Sequence, residues 1–86
     1  MPVISRFYGI VIMMFFKDHN PPHFHAKYEG QVAVFEIKTS HLIAGDLPPH
    51  AKKLVRQWAG IHEKELLSNW HKAQKSGNLK TIEPLL

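Results

Sequence analysis

An α+β fold, a small antiparallel sheet of three to four strands followed by C-terminal helices, is what this chain of 86 residues predicts. Short β-rich runs separated by turn residues fill the first half, and apolar residues recur at helical spacing through the second. No linker, repeat or low-complexity tract interrupts the chain, so residues 1–86 read as a single domain.

Phe7 to Phe16 is rich in β-branched, aromatic and long apolar side chains and is too short and uncapped for a helix. It reads as one strand, apolar on both faces. Helices of this chain can cover one face, and the other calls for a loop or another protein. Lys17 to Pro22 form a loop, because Asp18, Asn20 and the proline pair neither propagate a helix nor pair in a central strand. Two strands follow, His23 to Tyr28 and Gln31 to Lys38, around the tight turn Glu29-Gly30. A two-residue turn fixes the register: Tyr28 faces Gln31, Ala26 faces Ala33, Phe24 faces Phe35 and His23 faces Glu36. One face then carries Phe24, Ala26, Tyr28, Ala33, Phe35 and Ile37, a core surface. The other carries His23, His25, Lys27, Val32, Val34 and Glu36.

Thr39-Ser40 turns the chain into a short fourth strand at Leu42 to Ala44, with His41 and Ile43 expected on the histidine face. Asp46 is the expected N-cap of the next helix, with Pro48 and Pro49 in its first turn, where a missing N–H costs little. Ala51, Leu54, Val55, Trp58, Ile61, Leu66, Trp70 and Ala73 form a core-facing stripe. One straight helix from Pro48 to Ser76 would be about 42 Å long, against a radius of gyration of about 12 Å for a domain of this size. The sequence therefore predicts a kink or break near Gly60, a second segment from His62 to Lys75, a stop at Gly77 and a docked tail around Ile82.

Eleven Lys and Arg against seven Asp and Glu give a formal charge of +4, which favours an anionic partner such as RNA or an acidic protein. Cysteine is absent, which fits a reducing compartment. The longest apolar run, Ile10 to Phe16, is far below the roughly 20 residues a membrane helix needs. No secretory leader pattern opens the chain, so a cytoplasmic location without membrane contact is expected. A chain this short gains stability from a partner, and a second copy is one candidate. The glycines are too scattered for a phosphate-binding loop, and no serine has a nucleophile-elbow context.

The chemistry concentrates in His19-Asn20-Pro21-Pro22-His23-Phe24-His25. His23 and His25 lie two apart on a strand and project together, with Glu36 opposite His23 in position to orient it. Three uses compete. The histidines can be a polar face or partner contact. They can be ligands for zinc or another divalent metal, with His19, His23, His25 and Glu36 as the donor set and Asp18 or His41 nearby. They can also be a metal-free acid–base pair that cleaves RNA, one taking the 2′-hydroxyl proton and the other protonating the leaving oxygen, while Lys27 or Arg6 holds phosphate.

Met1-Pro2-x-Ile4-Ser5-x-Phe7-Tyr8-Gly9-Ile10, Asp18-His19-Asn20-Pro21-Pro22-His23-Phe24-His25-Ala26 and Ile82-Glu83-Pro84-Leu85 together make the whole chain resemble the bacterial domain-of-unknown-function family numbered four-one-six-zero. That family transfers no catalytic residues. The resemblance implies a small stand-alone bacterial protein encoded beside a second small family, numbered two-four-four-two, in a toxin–antitoxin arrangement with this chain as the toxin. It thus implies a small antitoxin-like protein partner. The resulting expectation is a toxin-like protein acting on RNA through His23, His25 and Glu36, with no cofactor. The alternative is a metal-binding or purely protein-binding module.

Overall fold

The computed structural model describes residues 2–86, so Met1 of the opening motif lies outside the described residues. Five strands form one antiparallel sheet in sequence order, β1 (Val3–Phe7), β2 (Ile10–Met13), β3 (His23–Tyr28), β4 (Gln31–Glu36) and β5 (Leu42–Gly45). Helices α1 (Pro49–Ile61) and α2 (Glu63–Gln74) follow.

The sheet has five strands rather than three or four because the expected first strand is a hairpin. Tyr8 and Gly9 both take positive φ, 49° and 79°, and Phe7 pairs with Ile10. Two such residues make the tight turn whose twist matches that of the flanking strands. Folding back puts Phe7 on the same face as Ile10 and Ile12, and all three are buried. The β3–β4 register is the one the sequence predicts, from Tyr28 opposite Gln31 to His23 opposite Glu36. β5 carries a register shift between Val34 and Phe35, so Leu42 faces Phe35 and Ala44 faces Val34. The extra residue, Ile43, is 47% exposed, and Ala44 takes the place expected of it on the histidine face.

Asp46 does not cap α1 as expected. Pro48 holds the N-cap position with no side-chain cap, while the Asp46 carboxylate accepts the Leu47 N–H and pairs with Lys52 at 3.0 Å. The helical stretch does break, at His62, two residues beyond Gly60, which itself remains helical. α2 ends in paired bonds from Ser76 N to Ala73 O and from Gly77 N to Lys72 O. Ser76, with φ 55°, takes the left-handed position usually given to glycine.

Trp58 is fully buried at the centre of the core, its ring 5.3 Å from Phe7 and 5.9 Å from Phe24. The tail docks: Ile82 N donates to Ile4 O, Ser5 Oγ to Ile82 O and Trp58 Nε1 to Glu83 O. Buried Asn69 clamps Lys80 through both its N–H and its C=O. Helices and tail thus cover one face of the sheet. The opposite rows, Arg6–Val11–Lys27–Val32 and Met13–His25–Val34–Ala44, contribute nothing to that core cluster.

Two glycines give opposite expected outcomes. A Cβ at Gly60 meets nothing, so Gly60→Ala should raise stability by about 0.5–1 kcal/mol through helix propensity. At Gly45, with φ +69°, a Cβ would lie 2.0 Å from Val32 O. Gly45→Ala should therefore cost more than the roughly 1–2 kcal/mol of left-handed strain alone. Urea midpoints of the two variants check both signs.

Candidate functional site

β3 presents His23 and His25 on the face away from the core, because Phe24 and Ala26 between and beyond them are committed to it. The loop between β2 and β3 then brings a third group to them. Lys17 N donates to Ala73 O and Gln74 Nε2 donates to Asp18 O, which pins the loop to the C-terminal turn of α2. The Asn20–Pro21 bond is cis. Asp18 Oδ2 ends 2.9 Å from His23 Nε2, with the two side chains 25% and 12% exposed. One donor atom from each of Asp18, His23 and His25 lies within 4.8 Å of the others.

The rings are held from several sides. His23 lies 5.1 Å from the Trp70 ring and 5.5 Å from His25, and Phe15 meets His25 edge-on at 4.5 Å. Nδ1 of His23 donates to Pro21 O over 2.7 Å, since a carbonyl can only accept. The ionised carboxylate of Asp18 also only accepts. Nε2 of His23 satisfies it either by donating a second proton, as an imidazolium, or by sharing a metal cation with it. Nδ1 of His25 is buried and has no hydrogen-bond partner among the described residues.

Burial pushes the His25 imidazole below the ordinary histidine range, the charge of His23 adds to this, and Asp18 opposes it. Burial works against the Asp18 carboxylate too. The His19 N–H bond, the His23 bond and the charges of His23 and His25 together outweigh that effect and hold Asp18 below the usual carboxylate range.

The other residues named from sequence fall as follows. Glu36 stands opposite His23 in the backbone register, but its carboxylate accepts from Thr39 Oγ1 at 3.1 Å, and Asp18 holds the His23 ring instead. His19 contributes its backbone N–H to Asp18, and its ring is outside the three-residue cluster. His41 is exposed at the β4–β5 connection and is also outside it. Lys27 follows His25 by two residues on the same face. Arg6 lies in the same cross-strand row as Lys27, with Val11 between them. Asp18 is the site residue that strand spacing does not single out. The available signal was an acid at the mouth of a proline-turned loop leading straight into the histidine strand. A separate cleft of about 610 Å³ is lined by Ser5, Arg6, Glu65, Ile82 and neighbours, and no member of the histidine cluster lines it.

Residues 9–71 match the model of a family described as a domain of unknown function (DUF4160). The matched span contains the proline-histidine segment and both helical tryptophans, whereas residues up to Tyr8 and the Ile82–Leu85 segment fall outside it. Neither a curated protein nor a solved structure matches the chain.

The two shifts in the cluster have the same sign in stability. A group whose pKa is lower in the folded chain than in the unfolded one contributes stability above the unfolded value and loses it as pH falls through the folded value. For His25 the loss begins near the ordinary value of 6.5, and for Asp18 near 3.8. Melting temperatures measured with chelator present should fall from pH 8 to pH 5, and His25→Gln should flatten that slope.

Proposed function

The chain belongs to the DUF4160 family, a domain of unknown function, and from that premise we propose that it acts on RNA as the toxin-like half of a bacterial toxin–antitoxin pair in the cytoplasm. One observation carries the RNA part. Arg6 and Lys27 lie in one row across three strands, on the open face that also carries His25, and neither forms an ion pair among the described residues. Two strand spacings separate them by about 10 Å, with only Val11 between, so both side chains reach a phosphate placed above it. Lys27 is two residues from His25, about 7 Å along the strand. A phosphate held by the row therefore places a neighbouring position of the same RNA chain at the histidines. In this reading Arg6 and Lys27 supply affinity, and His23 and His25 meet the phosphodiester. Glu36 has no part in it, because its carboxylate is engaged by Thr39.

The toxin-like role rests on the resemblance of the chain to a family encoded beside a second small family, and the partner is then a small antitoxin-like protein. Val32, 42% exposed and opposite Lys27, leaves apolar surface on the face that carries His25. A partner seated on this face would cover the row and the histidines together.

Two measurements check the reading. Expression of the wild-type chain in a bacterial host should slow growth, and a His23→Ala, His25→Ala double variant should relieve it; equal growth with both proteins sinks the toxic site. Binding to a labelled single-stranded RNA should weaken steeply with salt. Arg6→Ala with Lys27→Ala should make the slope of log K against log salt shallower by about 1.4, the loss of two phosphate contacts. An unchanged slope places the RNA elsewhere.

A further inference from the structure

Two imidazoles and one carboxylate converge in the Asp18, His23 and His25 cluster, and no other group of three such donors occurs among the described residues. His62 and Glu65 also pair, at 2.6 Å, but no third donor joins them. The three donors lie within eight residues of one another, and a distant part of the chain holds them together. His23 and His25 come from β3, and Asp18 comes from a loop that Lys17 and Gln74 tie to the end of α2. Trp70 and Phe15 restrict the rings.

Three features suit a metal ion in particular. The Nδ1–H of His23 is engaged by a backbone carbonyl, the outer contact that typically fixes the tautomer of a metal-binding histidine and leaves Nε2 as the donor. That Nε2 and Asp18 Oδ2, both lone-pair atoms in the neutral-histidine form, face each other at 2.9 Å, and a cation between them removes the repulsion. One ring nitrogen of His25 lies within 4.8 Å of both, and its Nδ1 is buried without a hydrogen-bond partner. Donors bound to one ion at about 2.0–2.2 Å lie roughly 3–4 Å apart. The His23–Asp18 separation of 2.9 Å falls just short of that range and opens to it with a shift of about 0.5 Å, and the 4.8 Å limit on the set closes with side-chain adjustments of about 1 Å.

We propose that Asp18, His23 and His25 bind one divalent transition-metal ion, zinc foremost, and leave its remaining positions open to water or substrate. Two histidines and a carboxylate with an open position are the donor set of catalytic rather than purely structural zinc sites. The donor set differs from the one expected from sequence: Asp18 replaces both Glu36 and His19. The proposal stands independently of the RNA reading. If RNA occupies the Arg6–Lys27 row, a metal at the histidines would polarise a phosphoryl oxygen of the adjoining phosphate.

The test is calorimetric titration of zinc chloride into the full chain, purified without a histidine tag and stripped with chelator. Wild type should bind one equivalent. Asp18→Ala and His25→Ala should each weaken binding by more than the roughly 10- to 100-fold that loss of an outer contact costs. His19→Ala and His41→Ala should leave binding unchanged. Far-UV circular dichroism shows which variants are folded, and Asp18→Asn, which keeps the shape of the carboxylate, gives a second route to the same loss. Cobalt in place of zinc should give visible absorption bands in wild type that Asp18→Asn removes. Absence of one-equivalent binding in wild type overturns the proposal. So does equal binding by wild type and the folded Asp18 variants, which would place the metal on scattered surface histidines. Because no RNA is present, failure here leaves the RNA reading standing, and failure of RNA binding leaves the metal site standing.

Discussion

Alternation along β3 is the constraint on which the rest depends. Phe24 and Ala26 are fully buried against the helices, so His23, His25 and Lys27 have no choice but the other face. Pairing with β4 enforces this, since Phe35 and Ala33 stand opposite the two core residues and are equally buried. A slip of one residue would drive two imidazoles and an ammonium into the core beneath Trp58, where nothing satisfies them, and turn two apolar side chains out to water. The residues that specify the core therefore specify the site as well. The histidine face is a consequence of how the hydrophobic face is written, and each stabilises the register of the other.

The hairpin and its two faces were legible because short-range rules decide them: a glycine turn sets the pairing, and period-two burial sets the faces. The helical stripe and the docked tail were legible for the same reason, from spacing and apolar content. The first hairpin was not. Tyr8-Gly9 lacks the Asn or Asp that usually announces a two-residue turn, and the apolar run continues past it without a break, so hydrophobicity concealed a reversal made by backbone conformation. Gly60 marked the helix break only approximately. Composition points to a weak position, but His62 is where the helical dihedrals are lost, with φ −110° and ψ 24°. Asp46 likewise had the right chemistry for a cap, and it is drawn off by Leu47 N and Lys52.

The partner of His23 shows where sequence reasoning stops. Cross-strand register correctly put the Glu36 backbone opposite His23, but side-chain pairing is a separate matter. Thr39, three residues on, holds the Glu36 carboxylate locally, while Asp18 arrives from a loop whose path depends on contacts 56 residues away in sequence. Gln74 and Ala73 can hold that loop only after α2 has packed. No local pattern encodes that event.

The site therefore depends on the C-terminal half of the chain, though its donors all lie in the first half. Asn69 fixes the tail at Lys80, the tail bonds β1 through Ile82, and α2 carries Trp70 to His23 and its last turn to the Asp18 loop. A small domain has little core with which to hold three side chains in a set geometry. Here the geometry comes from crosslinking elements that are far apart in sequence, each link being a hydrogen bond or ring contact from a helix already anchored in the core. Loosening α2 would leave both histidines on β3, since strand alternation alone puts them there, but it would release Asp18. The two imidazoles belong to the sheet, whereas the three-donor constellation belongs to the packed tertiary structure.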